Sequence, residues 1–245
     1  MAATLYAVPA SHPCACVERA LQLKRIAYRR IDVPPVTQKM TSKLLFGAGT
    51  VPGLVLDGQR ILGSRPIIRA LEDKVPEPRL LPADDKARKS VELAEEWGDE
   101  VLQPLVRRVL WLALRRAPDA ILSYSEGSKL VVPAPVARIS APLVARASQR
   151  LNAATELNVR ADLAHLEGHL ARVDRWIDYE VVGGEAPNAA DLQIGAGLRL
   201  LLTVEDVAAF AGSRPATLLA QKWFPHYPGH TPAGTLPAEW LPTSE

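Results

Sequence analysis

The spacing of apolar positions changes character along the chain. Residues 3–8 alternate and are β-prone, and Pro9 stops them. Val17, Ala20, Leu21 and Leu23 then recur at helical spacing, which predicts a helix over 16–26. A second strand is predicted over 28–33, closed by Pro34-Pro35, and a short helix over 38–46. Residues 51–56 and 59–62 read as two strands joined at Asp57-Gly58, a dipeptide suited to a tight hairpin turn. A helix follows from Ser64, with Pro66 in its first turn, where a missing N–H costs nothing, and Ile67, Ile68 and Leu71 on its apolar face.

Strand signals nearly vanish after the proline-rich stretch 76–82. Residues 85–116 form one long amphipathic segment with bends expected at Gly98 and Pro104. Residues 122–142, carrying Gly127, Pro133, Pro135 and Pro142, read as loop or broken helix. A long helix starting at 151 or 155 should run to 182 and close at Gly183-Gly184. Helices over 188–203 and 205–211 come next, and from residue 225 Pro and Gly dominate, which suits either a packed tail or a disordered one. The pattern divides the chain into an α/β domain over 1–77 ordered β-α-β-α-β-β-α, a linker over 78–85 and an all-helical domain over 86–245.

Composition narrows the function classes. Of 245 residues, 48% are apolar and 23% charged, values of a chain that folds around a core. A net charge of +2 does not point to nucleic acid as a partner. No apolar run approaches the ~20 residues that span a bilayer, and the first residues lack a basic stretch leading into an apolar one. A cytoplasmic location without membrane attachment is therefore expected. The two cysteines, Cys14 and Cys16, exclude a disulfide framework, and no His pair near them completes a zinc site, so no metal is expected. His165 and His169 lie four residues apart on a predicted helix but lack a third ligand.

Three motifs in order carry a resemblance: Ser11-His12-Pro13-Cys14-Ala15-Cys16, Thr50-Val51-Pro52-Gly53-Leu54, and Asn188-Ala189-Ala190-Asp191 after Gly183-Gly184. Together they resemble the active-site turn, the cis-proline turn and the helix-capping box of the glutathione S-transferase superfamily. The resemblance implies a thioredoxin-like N-terminal domain, a helical C-terminal domain, and a homodimer with residues 68–73 and 91–105 near its interface. It also implies a thiol co-substrate, glutathione or another low-molecular-weight thiol, and a small hydrophobic electrophile.

On that reading Ser11 opens the first helix and stabilises a bound thiolate, the nucleophilic form of the thiol. Ser before a helix is also an ordinary cap. Cys14 stands where dithiol thioredoxins carry their second cysteine, with Ser11 in place of the first, so a Cys14-dependent thiol oxidoreductase is an alternative. Val51 and Pro52 would pair with the peptide-like part of the thiol, and Gly63 and Ser64 would meet its γ-glutamyl end. The superfamily usually has an acidic residue or Gln at position 63; Gly63 removes the group that meets the ligand's α-amino end, which favours another thiol or an inactive binding module. Asn188 and Asp191 are assigned a folding role only.

Overall fold

The computed structural model describes residues 1–34, 37–130 and 133–242. Pro35, positions 131–132 of the irregular stretch and the last three residues of the tail lie outside the described residues. Four strands form a mixed sheet in the order β2-β1-β3-β4: β1 Ala3–Ala7, β2 Arg29–Asp32, β3 Gly53–Leu56 and β4 Gln59–Leu62. The parallel β1–β2 pair is connected through α1, His12–Leu23, while β1–β3 and β3–β4 run antiparallel. Asp57 and Gly58 both have positive φ, as a two-residue hairpin matched to strand twist requires. Two further helices, α2 Gln38–Phe46 and α3 Ser64–Lys74, complete the thioredoxin-like domain.

Helix α1 starts four residues before the predicted position. Ser11 is extended (φ −74°, ψ 116°) and Pro13 sits in the first turn, where its missing N–H leaves no gap. The long amphipathic segment divides as expected near Gly98: α4 Asp85–Trp97, a π-helical turn over Gly98–Leu102, then α5 Gln103–Arg116. A Cβ on Gly98 would meet Gln193 and Ile194 at 3.1 Å, so the small residue lets another helix approach the turn.

The stretch predicted as loop or broken helix is mostly ordered, as a 3₁₀ turn over Pro118–Ser125 and a helix α6 over Ala134–Leu151. Pro135 is tolerated in the first turn of α6, and Pro142 stands inside the helix, which survives because Ala141 and Ala145 are buried against the core. The single long helix predicted next is two, α7 Glu156–Ala164 and α8 Leu166–Asp178. His165 leaves helical geometry between them (φ −96°, ψ 0°), and its ring bonds the Ala161 carbonyl. Helices α9 Ala189–Leu201 and α10 Glu205–Ala211 lie as predicted, but α11, Pro215–Trp223, was not anticipated. Pro215 at its first position was the available signal. The tail from 224 packs on the helical domain, with Leu236 and Trp240 buried and Arg116 over the Trp240 ring.

Helix α9 is the centre of the molecule. Almost every residue on it is buried, and it packs against α1, α4, α5 and α11. The capping box forms as predicted: Asn188 accepts from the Ala190 and Asp191 amides, and Asp191 accepts from the Asn188 amide at 2.9 Å. Asp191 also accepts from the Gly183 amide and from Trp223 Nε1, so one buried carboxylate ties three segments together.

Candidate active site

Sheet register brings the predicted residues to one edge. Tyr6 pairs with Gly53, so the end of β1 and the turn before β3 lie side by side. The Val51–Pro52 peptide is cis, and the Pro52 carbonyl accepts from the Gly63 amide at 2.9 Å, which places the start of α3 next to the same turn. The turn after β1 closes through Ser11 N–H to the Val8 carbonyl at 3.2 Å and delivers Ser11 to the N-terminus of α1.

Ser11 makes no side-chain cap bond. The first amides of α1 are thus left without a side-chain acceptor, at the end of the helix dipole that favours negative charge. Cys14 is 1% exposed, and burial pushes its thiol up to about 11 against the opposing pull of the Ser11 hydroxyl and the Val8 backbone. It is a neutral thiol at pH 7, and this geometry supplies no attacking thiolate. Cys16, on the other side of the helix, is also buried and raised, and its sulfur donates to Gln193 Oε1 at 3.6 Å. His12 is buried with Nε2 unpartnered among the described residues; burial first, and the nearby Arg107 cation second, hold its pKa well below the ordinary value. A neutral, enclosed imidazole is no base for Ser11.

The Val51–Pro52 and Gly63–Ser64 portions differ. Among the described residues the Val51 amide has no backbone partner, which suits pairing with an extended peptide-like ligand. Ser64 is 4% exposed and its hydroxyl donates to Gln193 Oε1 at 2.9 Å, toward the helical domain. Gly63 has φ 93° and ψ 150°, a region essentially closed to residues with a Cβ. The missing acidic side chain is therefore built into the backbone at this position. What remains at the start of α3 is bare amide, with no side-chain cap on the helix.

Gln193 was not anticipated. It accepts from Ser64 and Cys16, and its amide nitrogen lies 3.4 Å from Asp99, which also accepts from Gln103 at 2.6 Å. A glutamine inside an otherwise small and apolar helix was the only sequence signal for it. Tyr227, whose hydroxyl donates to the Ala10 carbonyl at 3.0 Å, carried no local signal in its Pro- and Gly-rich setting. Trp111 is only partly buried, while Leu110, Leu112 and Leu114 on the same helix are core. Among the described residues no group of three or more His, Cys, Asp or Glu is placed to hold a metal ion, and the His169 ring packs at a tilt beside Trp97, 5.7 Å between centroids.

The family model described as "Glutathione S-transferase, N-terminal domain" matches residues 5–79. Residues 5–79 thus resemble a glutathione S-transferase N-terminal domain, and the whole chain has the fold of glutathione S-transferases. Solved structures agree on that fold. A glutathione S-transferase from Rhodospirillum rubrum is similar at 22% identity and TM-score 0.58, over 90% of this chain and 85% of that one. One from Sinorhizobium meliloti is similar at 17% identity and TM-score 0.60, over 91% and 87%. A glutathione transferase homolog from Sulfitobacter, with bound glutathione, is similar at 15% identity and TM-score 0.51, over 90% of each chain. No curated protein matches the sequence. No helix among the described residues is long and apolar enough to cross a membrane.

Proposed function

We propose that the chain is a glutathione-transferase-like enzyme, a cytoplasmic homodimer that activates a small thiol and passes its sulfur to an apolar electrophile. The observation that carries this reading is Ser11: a residue suited to capping stands at a helix start and makes no cap bond, beside the Val51–Pro52 turn. The backbone frame fits the peptide portion of glutathione. The Val51 amide would pair with it, and the Ser64 and Arg65 amides at the start of α3 would take a carboxylate. The frame lacks a side chain at 63 for the α-amino group, so the co-substrate is glutathione or another low-molecular-weight thiol that does without that contact.

In the reaction the thiol loses its proton to solvent, and Ser11 donates a hydrogen bond to the resulting thiolate. The sulfur lone pair then forms the new carbon–sulfur bond, either adding to an unsaturated carbon or displacing a leaving group that departs with its electron pair. Support for the dimer assignment comes from the exposed Leu93 on α4 (57% exposed) and from a cavity of about 270 Å³ between α3 and α4 lined by Arg69, Asp73, Arg88 and Glu92. A second reading, a binding module without turnover, draws support from the Ser64 hydroxyl being committed to Gln193.

Thermal shifts with a panel of thiols, followed by conjugation assays on the wild type and Ser11→Ala, separate the two. Saturable thiol binding with turnover that depends on Ser11 supports the enzyme. Binding without turnover supports the module, and the absence of binding by any thiol removes both.

A further inference from the structure

Among the described residues the tail reaches back to the N-terminal domain through a hydrogen bond from Tyr227. Arg199 holds its base, donating to the Phe224 carbonyl at 2.8 Å and the Pro225 carbonyl at 3.4 Å. Further on, the Thr231 amide donates to the Thr203 carbonyl and the Glu205 amide donates to the Thr231 carbonyl. The Tyr124 hydroxyl sits between the Thr203 and Thr231 hydroxyls at 2.8 Å from each. Gly229 has φ 103° and lies flat against the Tyr124 ring, where a Cβ would overlap the ring. Between these two anchorages Tyr227 reaches out, and its hydroxyl donates to the Ala10 carbonyl at 3.0 Å.

Ala10 is the residue before Ser11, and it has φ 55°, a left-handed conformation that a residue with a Cβ adopts only when its surroundings impose it. The strap is fixed on both sides of Tyr227 without the Tyr227 bond, so that bond is not needed to dock the strap. Its effect falls on the turn between β1 and α1. We infer that Tyr227 is a positioning residue: by holding the Ala10 carbonyl from the C-terminal strap it fixes the turn that aims the Ser11 hydroxyl, so the site is competent only with the strap docked. The consequence for turnover rests on the proposed role of Ser11; the mechanical part does not.

The test uses Tyr227→Phe in the full chain, which removes one hydroxyl and keeps the ring. Arg199→Met, which frees the base of the strap away from the turn, is the second variant, and Tyr179→Phe, at an exposed position, is the control. The first readout needs no thiol ligand. Cys14 lies behind the turn, and its alkylation by iodoacetamide in the native protein, located by peptide mass spectrometry, should rise about tenfold in Tyr227→Phe and less in Arg199→Met, with Cys16 unchanged. Labelling of Cys14 at the wild-type rate in both variants overturns the inference. The second readout is the apparent pKa of bound glutathione, followed by thiolate absorbance, with turnover across pH. Tyr227→Phe should raise that pKa and lower turnover at pH 7 about tenfold, with less loss at pH 9 and thiol affinity within about twofold. An unchanged thiol pKa and turnover overturns the inference as well. If the wild type binds no thiol yet Cys14 labelling responds, control of the turn stands and the proposed enzyme falls.

Discussion

Two helix starts in this molecule are occupied by residues of the same capping class and are used differently. At α9, Asn188 caps, Asp191 returns the bond, and Gly183 and Trp223 donate to the same carboxylate. At α1, Ser11 could cap in the same way and does not. The first arrangement satisfies its amides from within the chain and leaves nothing for a ligand. The second leaves amides and a hydroxyl together at the edge where β1, the Val51–Pro52 turn and α3 converge. Which residue type precedes a helix does not separate a folding device from a binding site; where its side chain is committed does.

The contrast can be broken most severely at the α9 end. Asp191→Ala strands two amides and an indole N–H in a buried position, and a loss of about 3–5 kcal/mol, approaching failure to fold, is expected in chemical denaturation. Ser11→Ala should do the reverse. Its unfolding midpoint should stay within about 0.5 kcal/mol of wild type, while conjugation falls on the order of 10²-fold, the scale of losing a donor to developing negative charge. A Ser11→Ala protein that unfolds early and turns over normally would reverse the assignment. Between these lies Gln193→Ala, expected to cost about 1–3 kcal/mol because Ser64 loses its buried acceptor. Under the proposed function it should also tighten thiol binding by freeing that hydroxyl, which calorimetry would register.

Most of the fold was legible because the hydrophobic period changes cleanly from strand to helix, and the hairpin, the linker and the capping box have local signatures. The misreadings occur where local signals mislead. Pro142 marked a break, yet α6 runs through it with the neighbouring Ala141 and Ala145 buried. His165 interrupts a helix with no Pro or Gly at the break itself. In the site, Ser11 and the proline turn were readable as motifs, and so was the loss of a side chain at 63. The partner of Ser64 was not, because Gln193 is 129 positions away and only packing of α9 beneath α1 and α3 brings them together. Tyr227 is 217 positions from the carbonyl it holds.

The smallest expected effect concerns His12, the unpaired imidazole beside the same helix start. Its pKa is depressed by burial, so the unfolded chain takes up a proton near pH 6.5 that the folded chain refuses. The stability this group contributes is full above that pH and is lost as the pH falls below it. His12→Leu should therefore flatten the decline in melting temperature between pH 7 and 5 relative to wild type. Equal slopes in the two proteins would show that His12 already takes a proton in the folded state.

Gln193 has a consequence for how the protein comes apart. A single carboxamide receives hydroxyl and thiol hydrogens from one half of the chain and sits against a carboxylate of the other. Pulling the halves apart would expose to water the apolar surfaces of α1 and α9 that are buried around it. Heating should accordingly melt the whole molecule in one step, and the sheet half expressed by itself should be insoluble.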